Sequence, residues 1–450
     1  MKKDLTTGNV TKTMLLFAGP MILGNLLQQC YNIVDMLIVG RALGAGALAA
    51  VGSAYSLMTF LTSVLIGMCM GSGSLFSYSI GKRDTARLQY EMTASFSFIG
   101  IVTIVMNIVV FVCMKPILNI LQIPEDIYGM MQEYVWYIFW GIFFVFLYNY
   151  FSFLLRAAGD SVVSLVFLGI SSGLNIVLDL VLTGALGLGI GGVAAATAIA
   201  LFLSWICSIF YIRRRCTELA LPVLPCGFDA GTLRQIVRIG LPLGLNSALY
   251  SIGHVFLQVL YNLQGSVFVA GCSVAGKVGG LANITVTSLS QATSVFAGQN
   301  LGAQSYSRLR RGGWLLPAAS GLLSLAGGLL MAACCRPLLL LFTQDEAVLA
   351  FAVRYIRVVL PFQWCYAAFN AIMSFANGMG KIRYSTIVNI ILLWGVRIPA
   401  SYLLAWLGYG GYAMAGVSLS FVVGLLAMLF YYKSHAWADI CARAEAQEAA

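Results

Sequence analysis

Along the chain, long continuous apolar runs alternate with short charged breaks. The runs cover 14–39, 47–76, 93–114, 134–155, 163–183, 192–212, 240–261, 268–297, 313–334, 354–376, 386–407 and 411–432. A helix needs about 20 mostly apolar residues to cross a bilayer, and every run is that long. Lipid tolerates only helices and closed barrels, because it leaves no unpaired backbone group satisfied. None of the runs shows the two-residue alternation of a barrel strand. The pattern therefore predicts an all-α polytopic membrane protein with twelve transmembrane helices.

The chain also resembles itself at a constant spacing. Lys115-Pro116 falls on Arg336-Pro337, Arg87-Leu88 on Arg308-Leu309, Tyr134 on Tyr355, Asn149 on Asn370, Gly159 on Gly380 and Gly187 on Gly408. Pro20 meets Pro242 with one extra residue. A fixed offset sustained over such a distance is the signature of an internal repeat, so two six-helix halves share one fold. Six is even, so both halves enter the membrane in the same direction. Their pseudo-two-fold axis is expected along the membrane normal, as in parallel-repeat transporters. The expected organisation is an N-terminal six-helix lobe at 1–212 and a basic linker at 213–238. A C-terminal six-helix lobe at 239–433 and a tail at 434–450 follow.

Composition excludes the soluble classes. Of 450 residues, 60% are apolar and 9% charged, against roughly 25% charged in a soluble domain. The net charge of +10 is read as topology and not as a nucleic-acid footprint. With a cytoplasmic N-terminus, inner loops hold 19 basic residues and outer loops five: Arg41, Lys115, Arg336, Arg354 and Arg357. The positive-inside rule favours that orientation, with both termini cytoplasmic. The apolar run after Lys12 is too long for a signal peptide's apolar region. Eleven cysteines without ligand spacing and two histidines, His254 and His435, predict neither a metal site nor a disulfide framework.

The costliest residues to place in lipid carry the chemistry. Of sixteen carboxylates, only Asp35 in helix 1 and Asp179 in helix 5 fall mid-span. Each opposes insertion by about 2.5–3.5 kcal/mol, and intramembrane acids are functional candidates by default. In helix 1, Asn25, Gln28, Asn32 and Asp35 follow at steps of three and four, which puts them on one face. Asn175 and Asp179 share a face of helix 5, and Thr197 supplies a hydroxyl beside the small-residue run 191–196 of helix 6. Oxygen donors suit a hard cation, and two neighbouring carboxylates can also share a proton.

These residues resemble the multidrug and toxic compound extrusion (MATE) family over essentially the whole chain. The resemblance rests on Ala18-Gly19-Pro20, Asp35-Met36-Leu37-Ile38-Val39-Gly40-Arg41 and Leu43-Gly44 followed by Leu48-Ala49-Ala50-Val51-Gly52. Asn175-Ile176-Val177-Leu178-Asp179 and Leu301-Gly302-Ala303 continue it. It implies an ion-coupled transporter of the cell membrane, with no enzyme activity and no cofactor. Such a protein exports amphipathic, often cationic compounds in exchange for Na+ or H+, as a functional monomer whose partners are its substrates and the bilayer. The coupling site, for a proton or Na+, is expected at Asp35, Asn175, Asp179 and Thr197.

The second half departs from the branch of the family with acids in helices 7 and 10. Helix 7 offers Tyr250, His254 and Gln258, with Leu257 near the place equivalent to Asp35, and helix 10 offers Asn370. Two bases lie within C-terminal spans, Lys277 and Arg397. Arg397 is expected to be held by carbonyls or to snorkel to an interface. Lys277 is expected to line the cavity with Asn25, Gln28, Asn32, Tyr250, His254, Gln258 and Asn370. A lipid-linked precursor flippase of the same superfamily is the alternative, but that function calls for more basic residues around the cavity. A major-facilitator transporter is disfavoured because the loop Gly81-Lys82-Arg83-Asp84-Thr85-Ala86-Arg87 lacks that family's pattern.

Overall fold

The computed structural model describes residues 4–120, 125–221, 230–340 and 343–448. Among these, no strand occurs and twelve helices are long and apolar enough to cross a membrane. Helices 1 to 6 are Val10–Gly44, Leu57–Gly81, Thr85–Val112, Tyr128–Ala157, Ser161–Ala185 and Gly189–Arg215. Helices 7 to 12 are Ala230–Leu263, Val267–Gly302, Tyr306–Ala333, Glu346–Gly378, Ile382–Tyr412 and Ala415–Gln447. Each overlaps one apolar run. Several continue past it, because polar residues carry a helix on once it has left the hydrocarbon. Helix 7 begins inside the basic stretch read as linker, and helix 12 runs through most of the stretch read as tail. Arg354 and Arg357 lie within helix 10 and not in a loop.

Loop carboxylates act as helix caps. Asp84 accepts from the Arg87 N–H at 3.0 Å, Asp160 from Val163 at 3.3 Å, and Asp345 from Ala347 at 2.9 Å and Val348 at 3.2 Å. Each satisfies donors that the first turn of a helix leaves open.

The repeat is written into the backbone. Left-handed φ values recur in pairs 221 residues apart: Gly44 and Gly265, Arg83 and Gln304, Gly159 and Gly380, Gly187 and Gly408. At Gly44, with φ 83° and ψ −175°, a helical run from Val10 to Gly81 is broken in two. Only glycine enters that region without a Cβ penalty. The two halves therefore turn at the same places, with glycine on both sides of three of the four pairs.

Contacts divide the chain into two compact units. The first comprises Gly19–Ile80 and Asp84–Ser247, and the second Asp4–Ala18, Gly81–Arg83 and Ala248–Ala450. In the first unit, helix 4 is the most buried of the twelve. Its Tyr150 sits edge-on to Phe76 and Phe96 and donates to the Met92 carbonyl at 2.7 Å. The start of helix 7 belongs to this unit. A Cβ on Gly67 would come within 2.6 Å of the Gly244 backbone, and one on Gly71 within 2.7 Å of Gly240. Small residues permit this backbone approach, as at other close helix crossings. Helix 3 turns Ile101, Ile104, Val105, Ile108 and Val112 outward, as a lipid-facing helix must.

In the second unit, helix 10 packs on helices 8 and 9. The segment before helix 1 is held here. Leu5 N–H donates to Gln299 at 3.3 Å, and Arg308 donates to the carbonyls of Leu5 at 3.0 Å, Thr7 at 3.1 Å and Gly8. Arg87, the repeat partner of Arg308, is built into the first unit. It pairs with the buried Glu91 at 3.0 Å and donates to Gln235 at 3.0 Å.

Candidate functional site

Helices 1, 4, 5 and 6 of the first unit bring the two mid-span acids together. Asp35 and Asp179 lie within hydrogen-bonding reach of one another. Asp179 is fully buried, and Asp35 half-buried. With the Asn175 amide oriented so that both its ends are satisfied, its nitrogen donates to Asp179 Oδ2 at 2.9 Å. Its oxygen then accepts from Thr197 Oγ1 at 3.1 Å and from the Thr197 N–H at 3.2 Å. The Tyr31 hydroxyl lies beside that of Thr197. Tyr31 stands one turn before Asp35, so the network returns to the helix it left: Asp35, Asp179, Asn175, Thr197, Tyr31.

This constellation joins all four residues expected at the coupling site. It adds Tyr31, whose i, i+4 spacing from Asp35 was the available signal. It also adds Tyr134 of helix 4, buried and electrostatically coupled to both acids, which the sequence showed only as a repeat marker. Helix 5 changes register here: residues Leu180–Ala185 form a π-helical turn immediately after Asp179. Such turns are rare and concentrate at functional sites. Thr183, within that turn, has no marker in the sequence.

Two carboxylates this close repel when both are ionised, and a proton or a cation between them removes the repulsion. Three buried oxygens, Asp35 Oδ1, Asp179 Oδ1 and Thr183 Oγ1, have no hydrogen-bond partner among the described residues. Unused oxygens on two acids and a hydroxyl are the donor chemistry a small hard cation takes. Of the remaining polar stripe on helix 1, Asn25 and Asn32 are half-buried and Gln28 is exposed.

The second unit holds a cavity of about 330 Å³ between helices 7, 8, 10, 11 and 12. Tyr250, His254 and Gln258 line it, as does Leu257. Asn370 does not line it but stands beside Tyr366, which does. Lys277 is exposed and lies outside the lining, while its neighbour Gly276 lies within it. Arg397 is the charged residue of this cavity. It is 6% exposed, and it donates from Nε to Ser420 at 2.9 Å and from Nη1 to the Tyr250 hydroxyl at 3.1 Å. Side-chain hydroxyls hold it, where carbonyls or an interface were expected.

The MatE family profile matches residues 20–181 and again residues 242–403, one match in each half. A relative named "Probable multidrug resistance protein YoeA", from Bacillus subtilis (strain 168), is 29% identical over 449 residues, covering 94% of each chain. The "Crystal structure of MATE in the bent conformation" superposes with a TM-score of 0.90 at 21% identity, covering 98% of both chains. A Vibrio cholerae MATE transporter, VcmN in the bent form, gives 0.88 at 19% identity, over 96% of this chain and 98% of the other.

Proposed function

Because the chain belongs to the MatE family, we propose that it is a secondary multidrug efflux antiporter of the cell membrane. In this reading it exports amphipathic, often cationic compounds in exchange for inward H+ or Na+. It works as a monomer with cytoplasmic termini, by alternating access of its two halves. The observation that carries the proposal is the meeting of Asp35 and Asp179 across helices 1 and 5. The multidrug resistance name of the Bacillus subtilis relative supports the substrate class.

The coupling follows from electrostatics and linkage. An ion bound between the two acids removes their repulsion and favours the arrangement in which helices 1 and 5 stay together. A substrate that prefers the other arrangement competes with the ion through the shared equilibrium and need not touch it. A tenfold mutual effect requires about 1.4 kcal/mol of differential binding, less than one mid-membrane carboxylate costs. The network through Asn175, Thr197 and Tyr31 ties helix 6 to the same event.

The test is ethidium efflux from vesicles reconstituted with the full chain. A pH step at zero Na+ and a Na+ step at fixed pH are applied separately. One of the two gradients should drive efflux, and its collapse should stop it. Efflux indifferent to both gradients and dependent on ATP would overturn the proposal.

A further inference from the structure

We infer that the cavity of the second unit is a receptor for an organic carboxylate carried on an aromatic or similarly apolar body, with Arg397 as its anion-binding group. A guanidinium has five N–H donors in a planar fork. In Arg397 one of them goes to Ser420 and one to Tyr250, and among the described residues the others meet no protein acceptor. Arg397 nevertheless lines the cavity, so the unused donors have only the cavity to serve. A planar fork with free N–H groups matches a carboxylate bidentately.

The charge is uncompensated by the protein. No Asp or Glu lines the cavity. The acids near this unit's helix ends are engaged elsewhere: Asp345 caps helix 10, Glu346 pairs with Arg336, and Asp439 with Lys381. A buried charge without a partner is costly, and an anion entering from outside supplies the missing partner. The rings of Tyr250 and Phe421, at 5.8 and 5.4 Å from the guanidinium carbon, soften that cost without neutralising the charge.

Helix 8 brings three glycines to the lining. Gly276, Gly279 and Gly280 line the cavity from one face of helix 8, and a Cβ on any of them would meet nothing within 4 Å. Their small size is not demanded by protein packing, since there is open space where side chains would stand. Space next to aromatic walls, with one convergent charge, is the composition of a small-molecule site.

The repeat supports the same assignment. At the 221-residue spacing Tyr355 takes the place of Tyr134, and Leu257 and Arg397 each stand one residue past the places of Asp35 and Asn175. All three of the second-half residues line the cavity. The two halves thus carry sites at corresponding places with opposite charge. The first is built for a cation and the second for an anion.

The experiment is equilibrium calorimetry on the full chain in nanodiscs of phosphatidylcholine alone. The probes are 2-naphthoate and its cationic counterpart, 2-naphthylmethylammonium. Naphthoate should bind saturably and the ammonium should not displace it. Arg397→Gln should weaken naphthoate binding at least tenfold, and Arg397→Lys, which keeps the charge and loses the fork, should fall between. Gly276→Leu fills the cavity while leaving Arg397 in place and should abolish binding, so the test survives if Arg397→Gln fails to fold. Unchanged naphthoate affinity in Arg397→Gln or Gly276→Leu would overturn the inference, as would equal displacement by the ammonium. Binding is read without any gradient, so the failure of this site and the failure of ion-coupled efflux are separate results.

Discussion

Replacing Asp179 with asparagine separates coupling from folding, because the two should move in opposite directions. Asp179 is fully buried, and asparagine has nearly its shape with no charge to lose from water. The two mid-span acids together oppose insertion by about 5–7 kcal/mol, so removing one relieves about 2.5–3.5 kcal/mol. Asn175 still finds an oxygen at position 179 in place of Asp179 Oδ2, 2.9 Å away. Asp179→Asn should therefore insert as well as the parent chain and melt at a higher temperature in detergent. Without a second ionisable group beside Asp35, binding an ion no longer removes a repulsion, and the coupling energy disappears. Vesicles carrying the variant should let ethidium equilibrate but not move against its gradient. Asp35→Asn should behave the same way. The double variant should be no worse than either single one, since both acids act as one unit and their effects are not additive. Full gradient-driven efflux by Asp179→Asn would refute the reasoning, as would losses that add in the double variant.

Further outcomes follow from the same geometry. Arg87→Met leaves Glu91, 1% exposed at its side chain, with only the Ser79 hydroxyl at 2.7 Å. It should cost about 3–5 kcal/mol, part of which Glu91→Gln restores in the double variant; equal melting of Arg87→Met and the parent chain would contradict this. Arg308→Ala removes the donor to three carbonyls of the N-terminal segment and should cost about 1.5–3 kcal/mol. Faster amide exchange at Leu5 is the specific sign, and exchange as slow as in the parent chain would show that the bond to Gln299 suffices. For orientation, a chain with Cys226 as its sole cysteine should react with an impermeant thiol reagent only from the cytoplasmic side. One with a sole cysteine introduced by Asp345→Cys should react only from outside. The reverse pattern would overturn the proposed topology.

The sequence by itself determined the class of the protein, the number of its spans and the existence of two equivalent halves. Those properties depend on the one-dimensional distribution of apolar residues and on turn residues at a fixed spacing. Gly159 with Gly380 and Gly187 with Gly408 were legible as a repeat before their left-handed φ values showed why. Asp35 and Asp179 were legible too, because a charge in lipid is conspicuous wherever it points. Which side chains meet was decided only by the tertiary structure. Tyr31 completes the acid network, and Thr183 contributes a buried oxygen from a turn that no local pattern marks.

The cause is rotational phase. Each residue turns a helix by roughly 100°, so one residue inserted as a π turn redirects every side chain beyond it. Helix 5 has such a turn at Leu180–Ala185 and helix 11 at Ile391–Arg397. A periodicity argument that assumes a regular helix cannot tell where the residues in or past them point. Arg397 closes its π turn, and instead of reaching for an interface it faces Tyr250, 147 positions earlier in the chain. Hydropathy gave its cost, and the packing of helices 7, 11 and 12 gave it hydroxyls and a cavity.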